Sequence, residues 1–401
     1  MLNLAIIMST AFQLTCPPIP LIRIALVGLG QRGMKTLERY AYIEGAEIRC
    51  VADWDLRKVE QADAQLRQSG RPPARMLAGQ HAWLEACRLP DIDLVYICTD
   101  WLSHTPIALE AMRNGKHTAV EVPAATSVDE CWQLVRMAER TQRHCFMTEN
   151  CCYDLFALET LDLYREGRLG VITHCEGGYI HDLTSYQPTK TCKDTASTTG
   201  GTWIERACTE KGGNPYPTHG IGPIAQLLGF HRADRMKYIV SVSSVAQSPS
   251  GKPVNLLNSS LIQTVNGVSI LLQLDVSTPR PYSRLQVVCG TRGFVQKYPT
   301  PILQLAGGDA ITGNAVLEAM KDFTHSAACK LWHEGKAKGV PNAMNYAMDA
   351  RLIHCLQNGL PLDIDVYDAA EWSSLAELSC LSAERGGVPV PVPDFTGERN
   401  Q

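Results

Sequence analysis

Gly28-Leu29-Gly30-Gln31-Arg32-Gly33 follows the apolar run Ile24-Ala25-Leu26-Val27, and Asp53 closes the next such run 20 residues further on. Glycines at these spacings suit the binding of a phosphate by backbone. Gly28 permits a tight turn, Gly30 lets a pyrophosphate approach the main chain, and Gly33 lets the following helix pack on the strand. The helix N-terminus then offers free N–H groups and the positive end of its dipole. Asp53 can accept both ribose hydroxyls and would repel a 2′-phosphate. The expected cofactor is therefore NAD rather than NADP.

The elements needed to hold that turn can be read around it. Strand-like runs at Arg23–Val27, Glu47–Ala52, Asp93–Thr99, His117–Val122 and Arg143–Thr148 alternate with helical patterns at Gly33–Tyr42, Asp55–Ser69, Thr105–Asn114 and Ser127–Thr141. Such alternation implies a parallel sheet with helices on both faces. Asn114-Gly115 is a helix stop, and Ser127-x-x-Glu130 a capping box. After Asn150 the pattern changes. A helix at Tyr153–Glu166 leads to a strand at Val171–Ile180, a Thr/Gly-rich loop over Thr184–Gly201, and a helix beginning near His219. Strands at Lys237–Ser244, Leu256–Val265, Val268–Val276, Arg284–Cys289 and Phe294–Lys297 follow, then a final helix at Asn345–Asn358. The tail is rich in proline and shows no clear period. The expected fold is α/β: a Rossmann domain over 21–150, then an α+β domain over 151–401 built on a large open, mainly antiparallel sheet.

With 401 residues, 45% apolar, and a net charge of −4, the chain can bury two cores and shows no nucleic-acid or membrane surface. Its 15 cysteines are odd in number and form no C-x-x-C, so free thiols are expected and no metal site. A reducing, cytoplasmic compartment follows. Leu2–Phe12 is mildly apolar with no Lys or Arg before it, unlike a secretory signal; export is the alternative. No 18-residue apolar run suggests a membrane span. Asn258-Ser259-Ser260 is a glycosylation sequon, meaningful only in a secretory pathway.

The order of domains resembles the Gfo/Idh/MocA oxidoreductase superfamily. Glu121-Val122-Pro123 closes the fifth strand where that superfamily usually carries Glu-Lys-Pro. Within it, the chain is similar to the NAD-dependent α-N-acetylgalactosaminidases. The resembling stretches include Gly28–Met34, Trp101-x-x-His104, Glu121–Ala125, Thr148-Glu-Asn150, Gly178–Asp182, Tyr216–Pro223, Arg280–Arg284, Tyr298-Pro299 and Arg351–Pro361. The resemblance implies that Gln31, Arg32, Asp53, Trp101, His104, Glu121, Val122 and Asn150 line the NAD site, and that Tyr179, Tyr216 and Tyr298 line a sugar site. It also places His219 on the helix facing the nicotinamide, with Tyr216 beside it. The implied reaction is hydrolysis through transient oxidation at C3, elimination across C1–C2, addition of water and re-reduction. His219 is the expected base for the C3 hydroxyl, since imidazole titrates near neutral pH, and Tyr179 the candidate on the C2 side. The partner is a small carbohydrate, and the chain a homo-oligomer.

Two positions depart from that family. Its Trp-Arg pair is Trp203-Ile204 here, with Arg206 two residues on. Its loop histidine falls in Val340-Pro341-Asn342-Ala343-Met344, which lacks one; His325 and His333 lie upstream. The departures leave two alternatives: a sugar or cyclitol dehydrogenase, against which Val122 argues, and a catalytically weakened NAD-bound sugar-binding protein. Asp53→Ala should weaken NAD binding and raise the relative affinity for NADP, measured by fluorescence titration of both dinucleotides; an unchanged preference removes Asp53 from the ribose site.

Overall fold

The computed structural model describes residues 10–183, 207–208, 212–247 and 253–397. These residues form two compact units. The first comprises the described parts of Met1–Tyr153, Ala327–Glu371 and Phe395–Gln401; the second comprises those of Asp154–Ser326 and Trp372–Asp394.

In the first unit, strands β1 (Ile22–Val27), β2 (Ala46–Asp53), β3 (Arg75–Ala78), β4 (Leu94–Ile97), β5 (His117–Val120) and β6 (Cys145–Met147) form one sheet in the order β3-β2-β1-β4-β5-β6. Every pair is parallel. Apart from Arg23, the central strands β1 and β4 are buried, which explains their apolar runs. Helices α1 (Gln31–Tyr40), α2 (Leu56–Gln68), α3 (Ala82–Arg88), α4 (Trp101–Arg113) and α5 (Val128–Thr141) connect them. Ser127 caps α5 as expected, its Oγ accepting from Glu130 N at 3.2 Å. Glu130 reaches back to Thr126 N at 2.7 Å. β3 and α3 have no counterpart in the sequence reading, because the edge strand is short and its residues are largely exposed.

Sequence alone sets the boundary at 150 and gives all of 151–401 to the second domain. The structure instead returns 327–371 to the first unit. This segment holds helices α9 (Ala327–Ala337) and α10 (Ala343–Asn358), numbered after the three helices of the second unit that precede them. Asn345 and Asp349 stand four apart on one face of α10. Asn345 Oδ1 accepts from Asn150 Nδ2 at 2.7 Å. Asp349 accepts from Arg39 at 2.7 Å and from Tyr96 OH at 2.9 Å. Arg39 and Asp349 are both buried, so the pair ties α10 to the helix that follows the glycine turn.

The second unit is a nine-stranded sheet. Its strands are β7 (Ile172–Ile180), β8 (Met236–Gln247), β9 (Pro253–Thr264), β10 (Ser269–Asp275), β11 (Ser283–Gly290), β12 (Gly293–Gln296), β13 (Ile302–Leu305), β14 (Ile311–Thr312) and β15 (Val390–Pro391), in the order β14-β13-β12-β11-β7-β10-β9-β8-β15. All neighbours are antiparallel except β7 and β10. Helices α6 (Leu155–Arg165) and α7 (Thr218–Leu228) belong to this unit, as does α8 (Asn314–Met320). Helix α11 (Val366–Glu384) is the longest of the described helices, yet the sequence reading leaves it as an irregular tail. Val366 through Leu375 are buried without interruption, so no amphipathic stripe exists to betray it. Asn258 of the sequon is also buried, its Nδ2 donating to Ser241 Oγ at 2.8 Å and Ser243 Oγ at 3.0 Å; it is no glycan acceptor in the folded chain.

His117, the first residue of β5, and His144, just before β6, bring their rings together with centroids 5.0 Å apart. Burial, reinforced by each other's proximity and Arg143, lowers the His117 pKa to about 3; burial and Arg143 lower that of His144 to about 4. An unfolded histidine titrates near 6.5. Both rings are neutral in the folded state, so their contribution is intact above pH 6.5 and lost as pH falls towards 4. Each ring should cost about 1.4 kcal/mol per pH unit well below 6.5. Urea midpoints at pH 7, 6 and 5 measure this, and His144→Leu should remove part of the slope.

Candidate functional site

In the first unit the glycine turn has the shape a pyrophosphate needs. Gly28 has φ +90°, and a Cβ there would lie 2.6 Å from the Cys98 carbonyl carbon. A Cβ on Gly30 would meet nothing within 4 Å, so the approach to the backbone is open. Gly30 is also the N-cap of α1 and supplies no side-chain cap, leaving that helix end to an anion. Asp53 ends β2 with its carboxylate held by Leu29 N at 2.7 Å and Asp55 N at 3.0 Å. Each oxygen keeps lone-pair capacity for a ribose hydroxyl. These residues fit NAD.

Around this turn, Arg32 pairs with Glu121 at 2.8 Å, and Gln31 opens α1. Trp101 is buried as the first residue of α4. His104 is buried with Nδ1 2.8 Å from the Pro123 carbonyl and Nε2 3.2 Å from that of Thr99. Burial lowers its pKa despite these carbonyls, so the ring is neutral and braces the Val122-Pro123 turn. Val122 is buried and offers no titratable group where a lysine would stand.

In the second unit the sugar-site candidates converge because two elements touch backbone to backbone. A Cβ on Gly177 of β7 would lie 2.3 Å from Gly220 O of α7, and a Cβ on Gly220 would lie 2.5 Å from Gly178 N. With no side chains between them, the start of α7 is pressed against the end of β7. This sets His219 beside Tyr179, ring centroids 5.3 Å apart, and Tyr216 beside both, at 4.7 Å from Tyr179 and 4.8 Å from His219. The Tyr216 hydroxyl is 3.1 Å from His219 Nε2. The Tyr179 hydroxyl is 2.8 Å from His181 Nδ1. Burial lowers the His181 pKa, Asp182 raises it and His219 lowers it, leaving it below the ordinary value. Tyr282 continues the row, 5.2 Å from His181 and 6.0 Å from Tyr298.

Tyr298 is anchored by an ion cluster that no local sequence signal announces. Arg284 Nη2 donates to its hydroxyl at 3.3 Å and to Asp154 at 2.8 Å, while Lys297 reaches Asp154 at 2.6 Å. Burial opposes ionisation of Asp154, but the two cations outweigh it and hold its carboxyl well below the usual range. Asp154 is thus fully charged and occupied. The loop before α7 is fixed by buried polar groups: Asn214 N donates to Ser379 Oγ at 2.7 Å, Gly213 N to Ser243 Oγ at 3.1 Å, and Tyr216 N to Asn214 Oδ1 at 3.1 Å.

The remaining candidates fall elsewhere. His325 pairs with Glu166 at 3.1 Å, and His333 meets Trp332 edge to face, ring centroids 5.3 Å apart. Pro341 precedes Asn342, the N-cap of α10. Trp203, Ile204 and Arg206 lie outside the described residues. Sequence reasoning missed Asp154, Arg284 and Lys297 as a unit, and gave Tyr282 no role.

A parallel Rossmann sheet with an open glycine turn, joined in sequence to a large mixed sheet, defines an NAD-binding protein of oxidoreductase fold. Residues 22–149 match the oxidoreductase family with NAD-binding Rossmann fold, and residues 153–251 and 255–400 match the C-terminal domain of glycosyl hydrolase 109. Glycosyl hydrolase family 109 protein 2 of Phocaeicola vulgatus is 48% identical over 402 residues, covering 96% of this chain and 97% of its own. The alpha-N-acetylgalactosaminidase of Bacteroides fragilis is 49% identical, covering 95% of this chain and 93% of its own. The chain belongs to glycosyl hydrolase family 109, glycosidases on an NAD-binding fold. Levoglucosan dehydrogenase in complex with NADH and levoglucosan shares the fold at a TM-score of 0.67 and 17% identity, covering 93% of this chain and 99% of its own. So does an aldose-aldose oxidoreductase from Caulobacter crescentus, at 0.68 and 18%, covering 93% and 100%. Among the described residues, no helix is long and apolar enough to cross a membrane.

Gly220→Ala should force α7 away from β7. Overpacking at such a contact costs about 1–3 kcal/mol, and displacement of His219 should lower turnover by roughly tenfold or more. Thermal denaturation and steady-state rates measure the two effects separately.

Proposed function

We propose that this chain hydrolyses α-linked N-acetylgalactosaminides by transient oxidation of the sugar at C3. NAD, when bound, supplies the acceptor and later the donor of the C3 hydride, so no net redox change results. His219 takes the proton of the C3 hydroxyl, with Tyr216 hydrogen-bonded at Nε2 to hold the ring. The C3 ketone acidifies the C2 proton, which Tyr179 removes as the C1 substituent leaves. Tyr298 donates to a sugar hydroxyl, since its oxygen already accepts from Arg284.

The observation that carries this reading is the pair of phenol–imidazole contacts, Tyr216 with His219 and Tyr179 with His181. Ordinary glycosidases flank the bond with two carboxylates. Asp154, the carboxylate nearest Tyr298 in the ion cluster, is instead neutralised by Arg284 and Lys297. The choice of sugar rests on the 49% identity to a protein named alpha-N-acetylgalactosaminidase. A cytoplasmic location is supported by the cysteines, 14 of which are free among the described residues. Self-association would use the sheet face where Val242 and Leu261 are exposed.

The test is cleavage of aryl α- and β-glycosides in D₂O with mass spectrometry of the released sugar. One deuterium at C2 with no net NADH supports the reading; NADH accumulating on free sugars overturns it in favour of a dehydrogenase, and neither signal in favour of a binding protein. His219→Ala should abolish hydride transfer while NAD stays bound; retained turnover makes His219 structural.

A further inference from the structure

Tyr179 is an unpromising base by itself, because a phenol titrates near 10. To take a carbon-bound proton near neutral pH it must lose its own proton at the same moment. The His181 ring is in position to take it. Its Nδ1 lies 2.8 Å from the Tyr179 hydroxyl, with the two rings edge to face at 86° and centroids 5.5 Å apart. The His181 main chain is fixed by its N–H donating to the Asp275 carbonyl at 2.9 Å. Its ring is held from the far side by Tyr282, at 90° and 5.2 Å. The ring is only partly buried, so a proton that reaches it can pass to water.

We propose that His181 is the proton acceptor behind Tyr179, so that the two side chains act as one base at C2 of the sugar. The inference rests on the assignment of Tyr179 to C2 made above. His181 touches no reacting atom and is a positioning and relay residue. The C2–H bond breaks and its proton goes to the Tyr179 oxygen, while the phenol's own proton passes to His181 Nδ1. The electron pair of the C–H bond becomes the C1–C2 double bond. The C1–O bond breaks, its pair leaves with the aglycone oxygen, and that oxygen is protonated by water. The C3 ketone that makes C2 acidic comes from the NAD-dependent oxidation proposed above. Before the step the ring is neutral, with its hydrogen on Nε2; after it, the ring is an imidazolium that returns the proton to solvent.

Neutrality of His181 near pH 7 follows from its surroundings. Burial and His219 disfavour the charged ring, and Asp182 favours it. On the neighbouring strands, Asp275 is paired with Arg280 at 3.3 Å and Arg284 with Asp154 at 2.8 Å, so both cations are compensated. Tyr179 and Tyr282 also face the ring.

The test compares the protein with His181→Asn, which keeps an acceptor near Nδ1 but cannot titrate, with His181→Phe, and with Tyr179→Phe. The probe is an aryl α-N-acetylgalactosaminide in D₂O. Deuterium entry at C2 reports the proposed step, and the transient rise of NADH absorbance reports the hydride step. His181→Asn should leave the hydride transient within about twofold and slow C2 exchange roughly a hundredfold or more, and the acid limb of the exchange profile should vanish. Exchange at the wild-type rate with that limb intact overturns the relay. If Tyr179→Phe leaves C2 exchange unchanged, the assignment of Tyr179 fails and the relay with it; if Tyr179→Phe abolishes exchange while His181→Asn does not, only the relay fails. A ground-state measurement decides the matter even without turnover. In ¹⁵N spectra of the histidine rings, His181 should carry its hydrogen on Nε2 and its Nδ1 signal should shift in Tyr179→Phe; a hydrogen on Nδ1 overturns the proposal.

Discussion

The contact between Gly177 and Gly220 is the constraint on which the tyrosine–histidine cluster depends. A helix normally stands about 10 Å from a sheet, with side chains between. Here a Cβ at either glycine would collide with the other's backbone, so the axis of α7 is drawn inward at its first turn. That closeness lets residues of two elements share one hydrogen-bonded cluster. Tyr179 comes from the strand, Tyr216 and His219 from the approach to the helix and its first turn, and their ring centroids all lie within 5.3 Å of one another. Remove the glycines and the same side chains are separated by the thickness of an ordinary helix–sheet layer.

Charge is handled differently on the two sides of this cluster. Around Tyr298 the groups are ionic and compensated, with Asp154 between Arg284 and Lys297. Around Tyr179 and Tyr216 they are phenol and imidazole rings joined by hydrogen bonds. A fixed ion cluster costs much to rearrange once buried, so it suits a group that must hold still. Neutral phenol–imidazole pairs cost little to polarise and suit groups that exchange protons. The buried Val122, where the wider superfamily keeps a lysine, offers no titratable group in the first unit, in keeping with the proposal that the second sheet supplies the proton-transfer groups.

How much of this was legible in the sequence depends on the range of the interaction. Gly28, Gly30, Gly33 and Asp53 are local signals, because turn, helix start and strand end lie within one βαβ unit. Tyr216 and His219 stand three apart and also share a local string. The Asp154–Lys297 pair spans 143 residues, and nothing near either position hints at the other. Helix α11 escaped for another reason: Asp368, Glu371, Ser373, Ser374, Ser379 and Ser382 are all buried, so polar residues mark inward positions and the usual inference from polarity to exposure reverses. The segment 327–371 was assigned by its place in the chain, whereas the side chains of Arg39, Tyr96 and Asn150 decide where α10 belongs.

The same buried serines bear on the order in which the protein is made. Asn214, which orients Tyr216, is itself held by Ser379, 165 residues later. At typical rates of about 5–20 residues per second, the ribosome completes the loop on the order of ten seconds before it synthesises the residue that fixes it. A nascent chain released short of α11 would carry all of the cluster's named side chains without the hydrogen bond to Ser379 that holds Asn214, and through it Tyr216, in place.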